Sequence, residues 1–493
     1  MTPPAHVDVL IVGAGISGIG CGCHLRREQP DKTFAILEAR ESIGGTWDLF
    51  KYPGIRSDSD LQTFGYAFRP WTNPKVIAPA DEIMEYLRAT VAEYDLEREM
   101  HFGYRVIAAN FVSEEARWHV QVRHASGEEL ELTCSVLFTA TGYYNYENGF
   151  MPEFPGLEDF AGQVIHPQHW PEDLDYAGKR VVVIGSGATA MTLIPAMARE
   201  AGHVTMLQRS PSYVIALPSN DPIISNLKKV LSEERAFTIA RAINIKRQAF
   251  FYGMCQRYPK LMRRFIRKQT MAKLPDHIDV DVHFNPRYNP WDERLCVVPN
   301  GDLFRAFQRG DASIVTDTIE RIEREGIRLS SGELLPADII ISATGLNVFL
   351  LGGIGMSVDD EPVRLSDCVA YKAMMLSGVP NCAFAIGYTN ASWTLKVDLV
   401  CEHLCRLLAH MDATGTDTFV AEPTASMELR PLLDFQAGYV QRAVAMWPKQ
   451  GSREPWTVAM SYAVDRKRLI EDPVSNPELR FSKARVHAEA TPA

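Results

Sequence analysis

Two glycine-rich loops, one near the N-terminus and one before the middle of the chain, constrain its fold more than any other feature. The first contains Gly13, Gly15 and Gly18, follows a short apolar run, and precedes a predicted helix over residues 18–28. The next predicted strand, residues 33–37, ends in Glu38. In such a βαβ unit the glycines permit a tight turn, a close pyrophosphate and close helix packing, while the carboxylate binds a ribose. The pattern therefore predicts a dinucleotide site at the N-terminus of the helix.

The second loop, residues 185–190, repeats this plan with a different charge at the end of its second strand. Its predicted cofactor-binding residues are Gly185, Gly187, Ala188 and Thr189. Where the first unit has Glu38, the strand over residues 203–207 is followed by neutral Gln208, cationic Arg209 and then Ser210. An arginine attracts a 2′-phosphate, which a carboxylate would repel. The second site is therefore predicted to prefer NADP over NAD, with Arg209 and Ser210 at the phosphate.

Two similar strand ends outline the domain plan. Ala140-Thr141-Gly142 and Ala343-Thr344-Gly345 each close a buried strand, and each is predicted to mark the exit from a nucleotide-binding domain. The fold class is therefore predicted to be α/β, with two Rossmann-like dinucleotide-binding domains, the second carrying a helical insertion. The predicted domains are 1–150 (first domain), 151–178 (linker), 179–345 (second domain, insertion at about 222–288) and 346–493 (return to the first domain and C-terminal region). A helix at about 395–411 is expected to point its N-terminus at the first nucleotide.

The helical insertion is locally basic. Residues 222–275 contain 13 Lys or Arg and two Glu, and the aromatic run Phe250-Phe251-Tyr252 interrupts the charges. A helical insertion with a solvated face accounts for this pattern. Two sharper hypotheses are contact with an anionic membrane surface and a lid over the nicotinamide site.

Composition excludes several other classes of protein. The formal net charge of -10 argues against nucleic-acid binding. The nine cysteines show no zinc-ligand spacing, so we expect reduced thiols and no metal. The apolar run from Val9 to Val12 is short and has no basic region before it, so a signal peptide is not expected and a cytoplasmic protein is. No pattern fixes an oligomeric state.

A motif between the two loops identifies the family that the chain resembles. Its fixed positions are Phe160, Gly162, His166 and Trp170. A second signature consists of Gly45, Trp47, Tyr52, Pro53, Gly54 and Asp58. With the two glycine loops, these motifs resemble the type I Baeyer–Villiger monooxygenases, which are class B flavoprotein monooxygenases. Segments 166–175, 289–300 and 388–393 are most similar to the ethionamide-activating subgroup of mycobacteria.

The resemblance implies FAD at the first loop and NADPH at the second. NADPH would reduce the flavin, dioxygen would form a C4a-peroxyflavin, and attack on a ketone would yield an ester or lactone, with sulfur in thioethers or thioamides also oxidised. By the same resemblance, Arg294 would stabilise the anionic species and Asp58 would pair with it, which suits a site where negative charge develops. The flavin-binding residues implied in addition are Gly45, Trp47, Asp58 and Val106.

Two features leave alternatives open. Many relatives have lysine before the arginine, whereas this chain has Glu293, which removes one positive charge from the expected phosphate site. His166 is either a satisfied core histidine or a catalytic group, and the stretch from Phe160 to Trp170 is predicted to be a packed hinge that couples the two domains.

Three other functions share part of this sequence pattern. The first is a flavin-containing monooxygenase restricted to nitrogen and sulfur, which usually lacks the tryptophan of the motif. The second is a disulfide reductase, which needs a redox cysteine pair; no cysteine lies between Gly45 and Cys134. The third is a nucleotide sensor without turnover.

Overall fold

The computed structural model describes residues 2–71, 73, 75–293, 295–433 and 436–484. Its first domain is built on a nine-stranded sheet. In spatial order the strands are Glu361–Pro362, Gly355–Val358, Tyr104–Val112, Arg117–His124, Glu129–Thr139, His6–Val12, Phe34–Glu38 and Met100–Phe102, and Cys382–Phe384 also pairs with Glu129–Thr139. The strands next to the first glycine loop are parallel and buried, as their continuous apolar sequences predict.

Two long helices cover this sheet beside the first glycine loop. Ile16–Glu28 and Trp393–Thr414 pack together with almost every apolar side chain buried. Their positions confirm the helices predicted at 18–28 and about 395–411. The remaining helices of the first domain are Thr46–Leu49, Leu61–Phe64, Ala80–Glu93 and the 3-10 turn Glu97–Glu99.

The second domain is built on a five-stranded parallel sheet. In spatial order its strands are Ala312–Thr316, His203–Gln208, Arg180–Ile184, Ile339–Ser342 and Gln163–Ile165. Helices Ala188–Met197 and Asp302–Arg309 cover it, and the antiparallel strands Ile319–Glu323, Gly326–Leu329 and Leu334–Pro336 form a separate small sheet. The α/β architecture with two parallel-sheet domains confirms the predicted fold class.

One predicted boundary needs correction. Gln163–Ile165 lies within 151–178, the segment predicted as a linker, yet it is the edge strand of the second sheet. The chain crosses between the domains elsewhere, at Tyr144–Gly149 on the way out and at Leu346–Val348 on the way back. These two segments pair antiparallel with each other and are called the crossing ribbon below.

The helical insertion lies between two paired parallel strands, Tyr213–Leu217 and Leu295–Pro299. It contains the helices Pro222–Leu227, Glu233–Arg257, Pro259–Met271 and Val280–His283.

The C-terminal region adds three short strand pairs and several short helical segments. Its paired strands are Ala370–Tyr371 with Met375–Leu376, Thr418–Ala421 with Leu479–Ser482, and Leu429–Pro431 with Lys449–Gly451. Its short helical segments are Leu350–Gly353, Leu365–Asp367, Gly438–Gln441, Val444–Met446, Tyr462–Arg466 and Lys467–Glu471. Two further short segments, Leu157–Asp159 and Pro167–His169, lie before the second glycine loop. Within the described ranges, no helix has the length and apolar character of a membrane span.

Candidate functional site

The first glycine loop fits a dinucleotide at each of its three glycines. Gly13 has φ +106°, and a Cβ there would lie 2.7 Å from the carbonyl oxygen of Ala140. A Cβ at Gly18 would overlap the carbonyl oxygen of Gly13, so the helix packs against the loop only with glycine. A Cβ at Gly15 would meet only Gly45 Cα, at an ordinary 3.7 Å. Within 4 Å the protein therefore places only the backbone of Gly45 beside this position, at the N-terminus of a helix where a pyrophosphate binds.

Glu38 holds the loop in place while keeping acceptor capacity. Its carboxylate is buried, and it accepts a hydrogen bond from Ala14 N at 2.8 Å and from Arg40 N at 2.9 Å. Each carboxylate oxygen accepts more than one hydrogen bond, so a ribose hydroxyl can add to these contacts.

The segment around Gly45 covers the loop. Gly45 has φ +55° and its Cα lies against Gly15, while Trp47 packs edge-to-face on Phe64 with ring centroids 5.6 Å apart. Val106 is different, because its side chain is buried in the core of the first sheet. Only its backbone is therefore placed to contact a ligand.

The sequence reasoning missed two aromatic residues at this site. Trp393 begins the long C-terminal helix, donates from Nε1 to Ser17 Oγ at 2.9 Å, and stacks on Tyr143 with ring centroids 5.1 Å apart. Two features of the sequence could have indicated them. Trp393 lies just before the start of the helix predicted at about 395–411, and Tyr143 directly follows the strand exit Ala140-Thr141-Gly142. They place the C-terminal helix against the first turn of the loop's own helix.

The second glycine loop is more open than the first. A Cβ at Gly185 would overlap the carbonyl oxygen of Ala343, but a Cβ at Gly187 would meet nothing within 4 Å. Gly187 is followed by Ala188 and Thr189, which begin the helix Ala188–Met197. The free space again lies at a helix N-terminus beside a parallel sheet, which fits a second dinucleotide.

The second strand of this unit, His203–Gln208, ends in a buried residue that is followed by two exposed ones. Gln208 is buried and donates from Nε2 to His283 O and to Thr316 Oγ1, both at 2.8 Å. Arg209 and Ser210 are exposed. Burial raises the pKa of the Glu293 carboxyl, while the charge of Arg209 opposes this shift. A carboxylate therefore lies within electrostatic reach of the predicted 2′-phosphate site.

The segment from Gly54 to Asp60 joins the two domains. Arg56 forms an ion pair with Asp302 of the second domain at 2.6 Å, and a Cβ at Gly54 would lie 2.8 Å from the carbonyl oxygen of Thr192. Asp58 is exposed on this segment. Its predicted partner Arg294 lies outside the described residues, so the pair stays a prediction.

Three of the four motif residues pack within the second domain, and the fourth, His166, contacts the segments that join the two domains. A Cβ at Gly162 would overlap the carbonyl oxygen of Asp338, so glycine is needed for the edge strand to approach its neighbour. Phe160 and Trp170 pack against the apolar clusters on the two faces of the second sheet. These three residues therefore serve the second domain itself.

His166 instead contacts the crossing ribbon. Its Nε2 donates to the carbonyl oxygen of Gly345 at 3.2 Å, its Nδ1 accepts from Gln168 N at 3.2 Å, and its ring packs on the Cα of Gly149. Gln168 adds a hydrogen bond from Nε2 to the carbonyl oxygen of Asn145 at 2.8 Å. Burial lowers the pKa of the His166 imidazole, so near pH 7 it is neutral with the proton on Nε2.

Replacing His166 with alanine is expected to loosen the crossing ribbon without emptying either cofactor site. Loss of its two hydrogen bonds should lower product formed per NADPH by about tenfold, while flavin content stays unchanged. The measurement is NADPH consumption against product. His169→Ala is the control, because His169 is an exposed neighbour. Unchanged coupling in the His166 variant would leave the motif with a packing role only.

Comparison with known proteins agrees with the class that these two sites define, an α/β flavoprotein with two dinucleotide-binding domains. The model of the flavin-binding monooxygenase-like family matches residues 7–346. The chain is 52% identical over 480 residues to the FAD-containing monooxygenase EthA of Mycobacterium tuberculosis, covering 97% of this chain and 98% of EthA. It is 49% identical over 481 residues to the probable FAD-binding monooxygenase AlmA of Acinetobacter baylyi, covering 97% and 96%. The chain therefore belongs to the flavin-binding monooxygenase-like family.

Solved structures confirm the fold. An oxidized steroid monooxygenase bound to NADP aligns with TM-score 0.77 at 21% identity, covering 97% of this chain and 100% of that one. An open structure of cyclohexanone monooxygenase aligns with TM-score 0.77 at 20% identity, with the same coverage.

Proposed function

We propose that this protein is an NADPH- and O2-dependent FAD monooxygenase that converts ketones to esters or lactones and also oxidises sulfur in thioethers or thioamides. FAD would bind at the first glycine loop and NADPH at the second. The observation that carries the proposal is the position of Asp58. Asp58 lies on the segment from Gly54 to Asp60. This segment follows the first site along the chain and packs on the helix Ala188–Met197 of the second domain. Use of NADPH fits the cytoplasmic location that we also propose.

The residues of the first site would bind and orient the flavin. The N-terminus of helix Ile16–Glu28 would face its pyrophosphate, and Glu38 would accept from its ribose. Gly45 and Trp47 form the cover over Gly15 and would run beside the ligand. When bound and reduced by NADPH, FAD supplies the activation of dioxygen.

Arg294 and Asp58 would act in the oxygenation half of the reaction. A guanidinium is permanently charged and donates several hydrogen bonds, so Arg294 would stabilise the negative charge that develops on oxygen. Asp58 would orient it by a charge-assisted hydrogen bond. Arg56 forms an ion pair with Asp302 of the second domain, and this ion pair holds the segment that carries Asp58 near that domain.

Product analysis with a simple aliphatic methyl ketone tests the proposal. We expect an ester, with one NADPH consumed per product, and a sulfoxide from a thioether under the same conditions. A sulfoxide without any ester would instead identify a monooxygenase restricted to nitrogen and sulfur.

Arg209→Ala is expected to weaken NADPH selectively. Loss of a charged hydrogen bond to the 2′-phosphate should raise the KM for NADPH by about 10- to 100-fold and leave NADH unchanged. Glu293→Gln should have the opposite sign, because it removes the carboxylate that opposes Arg209. Steady-state rates with both nucleotides measure these changes. Arg199→Ala, at an exposed position of the same domain, is the control. Equal losses with NADPH and NADH would remove Arg209 from the phosphate site.

A further inference from the structure

The long helix of the insertion, Glu233–Arg257, exposes apolar side chains on the side that faces away from the protein. Its inward face buries Phe237 and Ala240 together with the polar residues Arg241 and Asn244. Its outward face carries Ile239, Ile243 and Phe250, and the Phe250 side chain is 70% exposed. A surface helix of a globular protein normally buries its apolar residues and exposes its polar ones. The exposed apolar residues therefore need an explanation outside the folded chain.

The inward polar face explains how the helix is held. Arg241 donates from Nη1 to the carbonyl oxygen of Gly65 at 2.6 Å and from Nη2 to Asp398 at 3.2 Å. Asn244 donates to Asp60 at 3.2 Å, and burial raises the pKa of that Asp60 carboxyl. These contacts anchor the insertion on the first domain and fix the outward face toward solvent. Movement of the helix as a free lid over the second site would break them.

The next helix, Pro259–Met271, extends the exposed apolar surface. It buries Met262 and Ile266 at i, i+4 spacing on one side. On the other side Leu261 is 57% exposed and Phe265 is 50% exposed, again four residues apart. An exposed apolar stripe in addition to a buried one is more than this helix needs for folding.

A shallow groove lies at the C-terminal end of the first helix, directly before the second. Phe250, Met254 and Arg257 line it, and Arg257 donates from Nε to the hydroxyl of Tyr258 at 3.2 Å. Tyr258 is exposed at the start of the next helix, one turn before Leu261. The name basic apolar face is used below for these exposed residues and the basic residues beside them: Phe250, Tyr258, Leu261, Phe265, Lys260, Arg264 and Lys268.

The charge around this face has the opposite sign to the rest of the molecule. Residues 222–275 carry 13 Lys or Arg and two Glu, a net charge of +11, in a chain whose net charge is -10. Lys260, Arg264 and Lys268 are exposed between and beside the apolar residues of the second helix, and no ion pair found within the described ranges involves them. Asp281 pairs with Arg267 and Glu233 pairs with Lys228, so the positive charge of the face is carried by Lys260, Arg264 and Lys268.

We propose that the basic apolar face docks the protein on an anionic lipid surface. Apolar side chains would enter the headgroup boundary, and lysines and arginines would pair with lipid phosphates, as in interfacial amphipathic helices. A second copy of this chain fits less well, since pairing two such faces would bring like charges together. The proposal is independent of the reaction catalysed, because it rests on residues outside both glycine loops.

Flotation of the FAD-loaded protein with vesicles tests the proposal. We expect binding at low salt to vesicles of equal phosphatidylglycerol and phosphatidylcholine, weaker binding at high salt, and none to phosphatidylcholine alone. The triple variant Lys260→Glu, Arg264→Glu, Lys268→Glu should lose at least about 100-fold in affinity. Each basic residue removed accounts for about fivefold, and each added carboxylate is also repelled by the anionic lipid. The triple variant Phe250→Ser, Leu261→Ser, Phe265→Ser should lose at least about tenfold.

The matched control changes the same net charge at exposed arginines outside the insertion, Arg98→Glu, Arg117→Glu and Arg324→Glu. It should bind vesicles as the parent protein does, and all variants should keep their flavin and melting temperature. Loss of binding in the control, or absence of vesicle binding by the parent protein, would overturn the proposal. A drop in molecular mass of the apolar variant without vesicle binding by the parent would assign the face to self-association. Binding of single-stranded nucleic acid in place of vesicles would equally overturn it.

Discussion

An Arg294→Ala variant is expected to reduce its flavin with NADPH at the parental rate and to form ester about 10²- to 10³-fold more slowly, the usual cost of losing one donor at a developing anion. The two effects are expected to separate because Arg294 lies outside both predicted nucleotide-binding loops, residues 13–18 and 185–190. Anaerobic flavin reduction followed by single-turnover product analysis in oxygen measures both halves in one sample.

Arg287→Ala is the matched control for this experiment. Arg287 is an exposed arginine of the same stretch of chain, so its loss should leave both half-reactions at the parental rate. Asp58→Asn should show a smaller loss than Arg294→Ala, because Asp58 would position the arginine and not contact the substrate. Wild-type ester yield in Arg294→Ala, or a parallel loss of flavin reduction, would contradict the proposed role.

Much of the nucleotide-binding architecture could be predicted from sequence because local chemistry specifies it. Gly13 and Gly185 need conformations or close contacts that disfavour a side chain, and both follow continuous apolar strands. Glu38 and Gln208 occupy equivalent strand ends, and their difference in charge is visible without a structure. Such features depend on residues within a few positions of each other.

The interdomain arrangement could not be predicted, because it depends on contacts between distant segments. Nothing local to Gln163–Ile165 indicates that it pairs with Ile339–Ser342, so the segment was predicted as a linker. The crossing ribbon likewise pairs residues about two hundred positions apart. The sequence predicts a hinge between Phe160 and Trp170, but it does not indicate that His166 contacts Gly149 and Gly345.

The insertion shows a second limit. Its helices and its basic charge were evident from composition, but three interpretations of the charge remained open. The contacts of Arg241 with Gly65 and Asp398 favour contact with a membrane surface. They show which side of the helix faces the protein, and therefore which apolar residues face away from it. Hydrophobic periodicity alone could not assign that side, since both faces of the helix carry apolar residues.

A matched pair of alanine variants should separate the two cofactor sites completely. In Gly15→Ala the new Cβ would meet only Gly45 Cα at 3.7 Å, and in Gly187→Ala it would meet nothing within 4 Å. Both glycines have extended backbone conformations that alanine adopts without strain. Neither variant is therefore expected to change the melting temperature of the flavin-free protein.

Each new methyl group nevertheless occupies the space above a helix N-terminus, where a pyrophosphate would approach the backbone. Crowding of that contact is expected to weaken binding by about 10- to 100-fold. Gly15→Ala should therefore purify with little flavin, whereas Gly187→Ala should keep its flavin and show a raised KM for NADPH. Flavin absorbance per chain and steady-state kinetics measure the two effects. The pair of variants also tests which site binds which cofactor. Loss of flavin from Gly187→Ala, with only the KM for NADPH raised in Gly15→Ala, would exchange the two assignments.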